Sequence, residues 1–250
     1  MKPVALITGG AKRVGNVIAR ELASRGYRLI VHANTSIEEA EQFAAELAAS
    51  GHEAHALQAN LRDPAAIEQM VDDAVRPFGR IDALINSAAI WKSKPLEATS
   101  AADVREHFEI NTLGTYLCCQ HVGLRMCGQP AGGSIVNLGD WAIARPYVDY
   151  PAYFPSKGAI PTLTRTFAVE LARRNPAVRV NAVLPGPVML PPDLPAAERQ
   201  AAIDGTLLRR EGSPQNIAHA VAFLLENDFI TGVCLPVDGG RTIFSGSFER

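Results

Sequence analysis

Four cysteines, two tryptophans and no surplus of either charge sign mark what this 250-residue chain has little of. Cys118, Cys119, Cys127 and Cys234 include no Cys-x-x-Cys pair and no zinc-finger spacing, which excludes a disulfide scaffold or a thiolate metal module. They are expected to be buried thiols in a reducing cytoplasm. His32, His52, His55, His107, His121 and His219 also lack metal-ligand spacing, so no metal site is expected. No apolar run approaches the ~18 residues of a membrane span. The 24 basic and 26 acidic residues give a formal charge of −2, which offers no footprint for nucleic acid or an anionic membrane as partner. Met1-Lys2-Pro3-Val4-Ala5-Leu6-Ile7 enters a strand-like run at once, with no room expected for a signal peptide.

With 47% hydrophobic and 20% charged residues, the chain can bury a large core as a single domain, 1–250. Short apolar runs alternate with helical patterns. The strand candidates are Val4–Thr8, Arg28–His32, Ala54–Gln58, Ala83–Asn86, Ser134–Leu138, Arg179–Leu184 and Val233–Val237. Most are apolar on both faces, as in a parallel sheet covered on each side. Helices are expected at about Asn16–Ser24, at Ile37–Ala49 after Ser36, and after Asp63 as cap with Pro64 at the first position. In the last, Ile67, Met70, Val71, Ala74, Val75 and Phe78 make one apolar face. The pattern predicts an α/β fold, a Rossmann-like doubly wound sheet of about seven strands with helices on both faces. Ligands of such sheets bind beyond the strands' C-terminal ends. The proline-rich Pro185–Pro195 stretch and the helical pattern at Ala196–Asp204 read as a functional loop, at about 187–212.

Thr8-Gly9-Gly10-Ala11-Lys12-Arg13-Val14-Gly15 follows the first strand and leads into a helix. Glycines permit a tight turn, and a helix N-terminus offers N–H groups and a positive dipole to a pyrophosphate. Tyr153-Phe154-Pro155-Ser156-Lys157 has Tyr-x-x-x-Lys spacing, which places a phenol and an ammonium on one helix face. Lys157 at ~4 Å would favour the Tyr153 phenolate by about 4 kcal/mol at a dielectric of ~20, or about three pKa units before desolvation. Pro155 is tolerable near the first turn, whereas Pro161 is expected to bend the helix.

The glycine loop resembles the Thr-Gly-x-x-x-Gly-x-Gly turn of the short-chain dehydrogenase/reductase family, with Arg13 in place of the middle glycine. Asn86-Ser87-Ala88-Ala89, Asn111, Tyr153/Lys157, Pro185-Gly186 and Val237-Asp238-Gly239-Gly240 match other family segments in order along the whole chain. The resemblance implies a catalytic set of Tyr153, Lys157, Asp140 and Asn111, with Asn111 supporting a water linked to Lys157. It implies cofactor contacts from Thr8, Gly9, Lys12, Arg13, Val14, Gly15, Asn60, Leu61, Asn86, Ala88, Tyr153, Lys157, Pro185, Gly186 and Val188. The stretch after strand two, containing Asn34, Thr35 and Ser36, lacks the acid by which NAD-specific enzymes hold the ribose hydroxyls. With Lys12 as a 2′-phosphate ligand, Asn34 and Ser36 as further donors and Thr35 beside them as a cofactor contact, the expected cofactor is NADPH/NADP. Family analogy also implies a homodimer or homotetramer through long helices near Ala101–Arg125 and Tyr153–Arg173.

Position 140, usually serine in the family, carries an acid. Asp140 together with Arg13 and Trp91 resembles the pteridine reductases, including the dihydromonapterin reductase type. That resemblance implies a flat nitrogen heterocycle as small-molecule substrate, held by Arg13, Trp91, Asp140 and Tyr153. Trp91 would stack the ring, and Asp140 with Tyr153 would protonate it. Ala89, where those enzymes often have serine, and the lack of arginine in 34–36 depart from the pattern. The alternatives are a reductase of a ketone or 3-oxoacyl thioester, and a dinucleotide-binding sensor without turnover.

Overall fold

A computed structural model of the chain describes residues 2–244; the first residue and last six of the expected 1–250 domain lie outside the described residues. Seven strands form one parallel sheet: β1 Val4–Thr8, β2 Arg28–Ala33, β3 Ala54–Gln58, β4 Ala83–Asn86, β5 Gly133–Leu138, β6 Val178–Pro185 and β7 Cys234–Val237. Their order is β3-β2-β1-β4-β5-β6-β7, so the direction of winding reverses between β1 and β4. Strand residues alternate between two cores: Ala5 and Ile7 of β1 face one, Val4 and Leu6 the other.

Helices α1 (Arg13–Ser24), α2 (Ile37–Ala49) and α8 (Pro214–Glu226) cover the first core. Ile18, Leu22, Phe43, Leu47, Ile217 and Val221 pack there. Helices α3 (Pro64–Val75), α5 (Thr115–Cys127) and α6 (Tyr153–Ala172) cover the second, through Ile67, Met70, Val122, Met126, Leu163 and Phe167. Every side chain in this group is at least nine-tenths buried, and each removes apolar area worth about 1.5–3 kcal/mol from water. Asp63 caps α3 by accepting from the Ala65 N–H at 2.9 Å.

Two elements depart from the sequence reading. Helix α1 starts at Arg13 rather than near Asn16, because the turn through Gly9 and Gly10 delivers the chain into the helix sooner. The expected helix Ala101–Arg125 is interrupted. It begins as α4 (Ala101–His107), widens into a π segment at Phe108–Gly114, and resumes as α5. α6 stays helical on both sides of Pro161, although proline cannot donate to the Lys157 carbonyl four residues earlier. The short α7 (Ala196–Asp204) lies in the expected loop. That loop closes on itself: Gly212 N–H donates to Pro187 O at 2.9 Å, and Glu211 binds both Leu190 N–H and Arg199.

Cys118 and Cys119 are buried, and none of the four cysteines is paired. Among the described residues no His/Cys/Asp/Glu cluster could hold a metal ion, and no helix is long and apolar enough to cross a membrane.

Candidate active site

Beyond the strands' C-terminal ends lies an open cavity of about 1080 Å³, running from the glycine loop to Tyr153 and the 187–212 loop. The glycine loop forms one end. Gly9 has φ +64°, and a Cβ there would stand 2.9 Å from Ala88 Cα. A Cβ on Gly15 would overlap the Gly9 carbonyl. Arg13 also has positive φ, at 52°, although it carries a Cβ; this conformation costs a non-glycine residue about 1–2 kcal/mol. Its Nη2 donates to Met189 O at 3.4 Å, joining the glycine loop to the 187–212 loop. No side chain caps the N-terminus of α1, and Arg13, Val14 and Gly15 of its first turn line the cavity. Free N–H groups and the helix dipole therefore suit a pyrophosphate.

His32, which the sequence reading left without a role, clamps this loop from β2. Its Nε2 lies 3.0 Å from Ala59 O. A carbonyl only accepts, so Nε2 bears the hydrogen and Nδ1 accepts from Gly9 N–H at 3.2 Å. Burial pushes the imidazole pKa down, which keeps the ring neutral in that arrangement.

Asn34, Thr35, Ser36, Asn60 and Leu61 line the cavity beside Lys12, and Ala88, Pro185, Gly186 and Val188 line it further along. Two expected cofactor contacts lie behind the wall instead. The Thr8 hydroxyl accepts from Ser87 N–H and Ala88 N–H, each at 3.1 Å, so it shapes the segment after β4. Asn86 turns into the core and donates to Asn137 Oδ1 at 2.9 Å, and Asn137 donates to Thr164 Oγ1 at 3.0 Å. Neither side chain lines the cavity, because both satisfy buried backbone or side-chain groups. Lys12 lines the cavity, and its ammonium is paired with Glu39 at 2.6 Å.

At the other end, Asp140 accepts from Ala142 N–H through Oδ1 and from the Tyr153 hydroxyl through Oδ2, both at 2.8 Å. Lys157 Nζ donates to Leu138 O at 2.7 Å. Burial is the main cause that raises the Asp140 pKa above the usual carboxylate range, against the opposing Ala142 and Tyr153 bonds and the Lys157 charge. Burial brings the Lys157 ammonium down to about 8, with Asp140 opposing. Tyr153 is raised well above the ordinary phenol value, first by burial and then by the Asp140 carboxylate. This corrects the expectation that Lys157 favours a phenolate. In its ionised form Asp140 opposes the phenolate across their 2.8 Å contact, and in its protonated form it is a second acid beside the phenol.

Asn111 has a fully buried side chain; Oδ1 accepts from Ile90 N–H at 2.8 Å, while Nδ2 donates to Ile90 O and Ser156 Oγ, each at 3.0 Å. It positions the chain leading to Trp91 and the first turn of α6.

Trp91 lines the cavity and lies flat on Tyr150, centroids 4.9 Å apart and planes 6° from parallel. Tyr147 meets Tyr150 and Phe154 edge-on, at 5.2 and 4.8 Å. Of these residues only Trp91 is expected from the sequence to face the substrate; Tyr147 and Tyr150 join it through the fold. The clue was the crowding of Tyr147, Tyr150 and Tyr153, three of the chain's five tyrosines, just after Asp140.

The family model described as enoyl-(acyl carrier protein) reductase matches residues 9–242. The chain belongs to the short-chain dehydrogenase/reductase family. It is 33% identical over 248 residues to 3-oxoacyl-[acyl-carrier-protein] reductase FabG of Staphylococcus epidermidis, covering 96% of this chain and 99% of that one. It is 33% identical over 247 residues to the (2S)-[(R)-hydroxy(phenyl)methyl]succinyl-CoA dehydrogenase subunit BbsD of Thauera aromatica, covering 97% and 98%. A solved relative, a blue fluorescent protein from a metagenomic library in complex with NADPH, superposes with TM-score 0.87 at 31% identity, covering 96% of this chain and 97% of that one. This short-chain dehydrogenase/reductase thus keeps the family's Tyr153/Lys157 pair and sets an acid against it.

Proposed function

We propose that the protein is an NADPH-dependent oxidoreductase that reduces the carbonyl of a ketone or 3-oxoacyl thioester. The observation that carries the reading is Tyr153, held as a neutral phenol beside Asp140 and Lys157 in the cavity that begins at the glycine loop. The uncapped α1 terminus suits a pyrophosphate, and Lys12, Asn34 and Ser36, which line the same end of the cavity, would hold the 2′-phosphate once Lys12 parts from Glu39. The relatives reported above, a 3-oxoacyl reductase and an NADPH-bound protein among them, support the carbonyl substrate and the cofactor. A cytoplasmic location is part of the proposal, in keeping with four unpaired thiols.

When bound, the dinucleotide supplies a hydride. Tyr153 Oη gives its proton to the substrate oxygen as negative charge develops there. The resulting phenolate faces Asp140 at hydrogen-bond distance, so a protonated Asp140 can return a proton to it. Lys157, fixed on Leu138 O, supplies a positive charge that acts on Asp140. Where the family resemblance leads one to expect a serine hydroxyl, this chain thus has a second acid beside the first.

Two observations favour a second reading, reduction of a pterin or similar planar nitrogen heterocycle. Asp140 is a carboxyl of raised pKa in direct contact with Tyr153, which suits protonation of a ring nitrogen, and the Trp91–Tyr150 stack offers a flat wall. Steady-state assays with acetoacetyl-CoA, dihydrobiopterin and dihydrofolate separate the readings. The proposal expects NADPH-dependent thioester reduction to exceed pterin reduction. The reverse order selects the heterocycle, and NADPH binding with no turnover of any of the three would leave a sensor.

A further inference from the structure

Lys12 and Glu39 close on one another at the rim of the dinucleotide groove. Lys12 belongs to the glycine loop, and Glu39 to the first turn of α2, directly after the cavity residues Asn34, Thr35 and Ser36. The two side chains, each about half exposed, meet at 2.6 Å. The lysine beside it holds the Glu39 carboxyl below its ordinary pKa range. The neighbouring cations are engaged elsewhere: Arg20 pairs with Glu46 at 2.8 Å, and Arg13 donates to Met189 O. Lys12 shares the cavity wall with Asn34–Ser36, and a carboxylate already neutralises its ammonium. No acid stands at 33–36, where one would hold the ribose hydroxyls of NADH; the acid that reaches this corner comes from one helical turn further on.

We infer that Glu39 is a specificity-determining residue that restrains the preference for a 2′-phosphate. A dinucleotide bearing that phosphate must part Lys12 from Glu39 and then lie beside the released carboxylate. One with a free 2′-hydroxyl does neither. Glu39 thus narrows the gap between NADPH and NADH that Lys12 opens. The inference rests on the NADPH reading above.

The test uses the full-length protein and nucleotide fluorescence titrations with NADPH and NADH separately. Glu39→Gln is expected to tighten NADPH binding by about three- to fivefold, the scale of one exposed ion pair, with NADH unchanged. Added salt should shrink that gain, since screening weakens both the pair and its competitor. Lys12→Gln should weaken NADPH alone. If Glu39→Gln leaves NADPH unchanged while Lys12→Gln weakens it, the role of Glu39 is overturned and the NADPH reading stands. Weaker NADH binding in Glu39→Gln would overturn it differently, making Glu39 a ribose ligand. Equal affinity for both nucleotides in the wild type, unaffected by Lys12→Gln, removes the NADPH reading itself.

Discussion

A carboxyl group in contact with the phenol that must give up a proton changes what pH should do to this enzyme. Because burial raises the Asp140 pKa, the protonated form persists to higher pH than in an ordinary aspartate. Reduction draws on that form, so kcat should fall as pH climbs through the raised value. Asp140→Asn cannot titrate, and its kcat should be lower by on the order of 10²-fold, with that alkaline limb missing. A pH–rate series on both proteins checks it; an unchanged limb in the variant would assign the titration to another group, such as Lys157. Asp140 was legible as an acid where the family resemblance leads one to expect serine. Its bond to the phenol was not, because the twelve intervening residues of turn and loop decide whether the two meet. Lys12 was equally legible as a cation, but its partner lies 27 positions away on another helix, beyond any local spacing rule.

Among the elements, the strands were legible almost to the residue, since strands buried on both faces appear as short apolar runs between turn formers. The interrupted helix was not. Ala101–Arg125 has an unremarkable helical pattern, and the widened turn at Phe108–Gly114 coincides with tertiary bonds: Asn111 to Ile90 and Ser156, and Thr112 Oγ1 to Ser156 O at 2.8 Å. Asn111→Ala removes three of these bonds and leaves the Ile90 amide unanswered. It is expected to cost roughly 2 kcal/mol, lowering Tm by roughly 4–8 °C in a chain of this size. Asn111→Asp keeps an acceptor for Ile90 N–H but sets a buried carboxyl group against the Ile90 carbonyl, so it should lose at least as much. Thermal melts of both variants distinguish this clamp from a role confined to catalysis, which would leave Tm unmoved.

For the molecule as a whole, the sheet separates two cores, and their outer surfaces are not alike. Leu113, Tyr116 and Leu124 on the π segment and α5, and Val169 on α6, are all at least two-fifths exposed. These are the helices through which the family resemblance implies self-association, and we propose that a second copy covers them in a homodimer or homotetramer. Sedimentation velocity at micromolar concentration should give a dimer or larger species. Val169→Glu should shift it towards monomer, because a carboxylate would be buried unpaired. A monomeric wild type would end the proposal. The global winding needed little beyond the alternation of strand and helix, whereas the aromatic wall of Trp91, Tyr147 and Tyr150 depends on how the loops after β4 and β5 come together.

The widened turn at Phe108–Gly114 also bears on how the chain tolerates changes of length. Loss of one residue between Asn111 and Thr115 would allow the ladder to close at ordinary α spacing. Asn111 would then swing about 100° around the axis relative to α5, carrying its amide away from Ile90 and from the first turn of α6. A single-codon deletion on a helix surface would therefore reach the reaction centre without altering any residue that lines it.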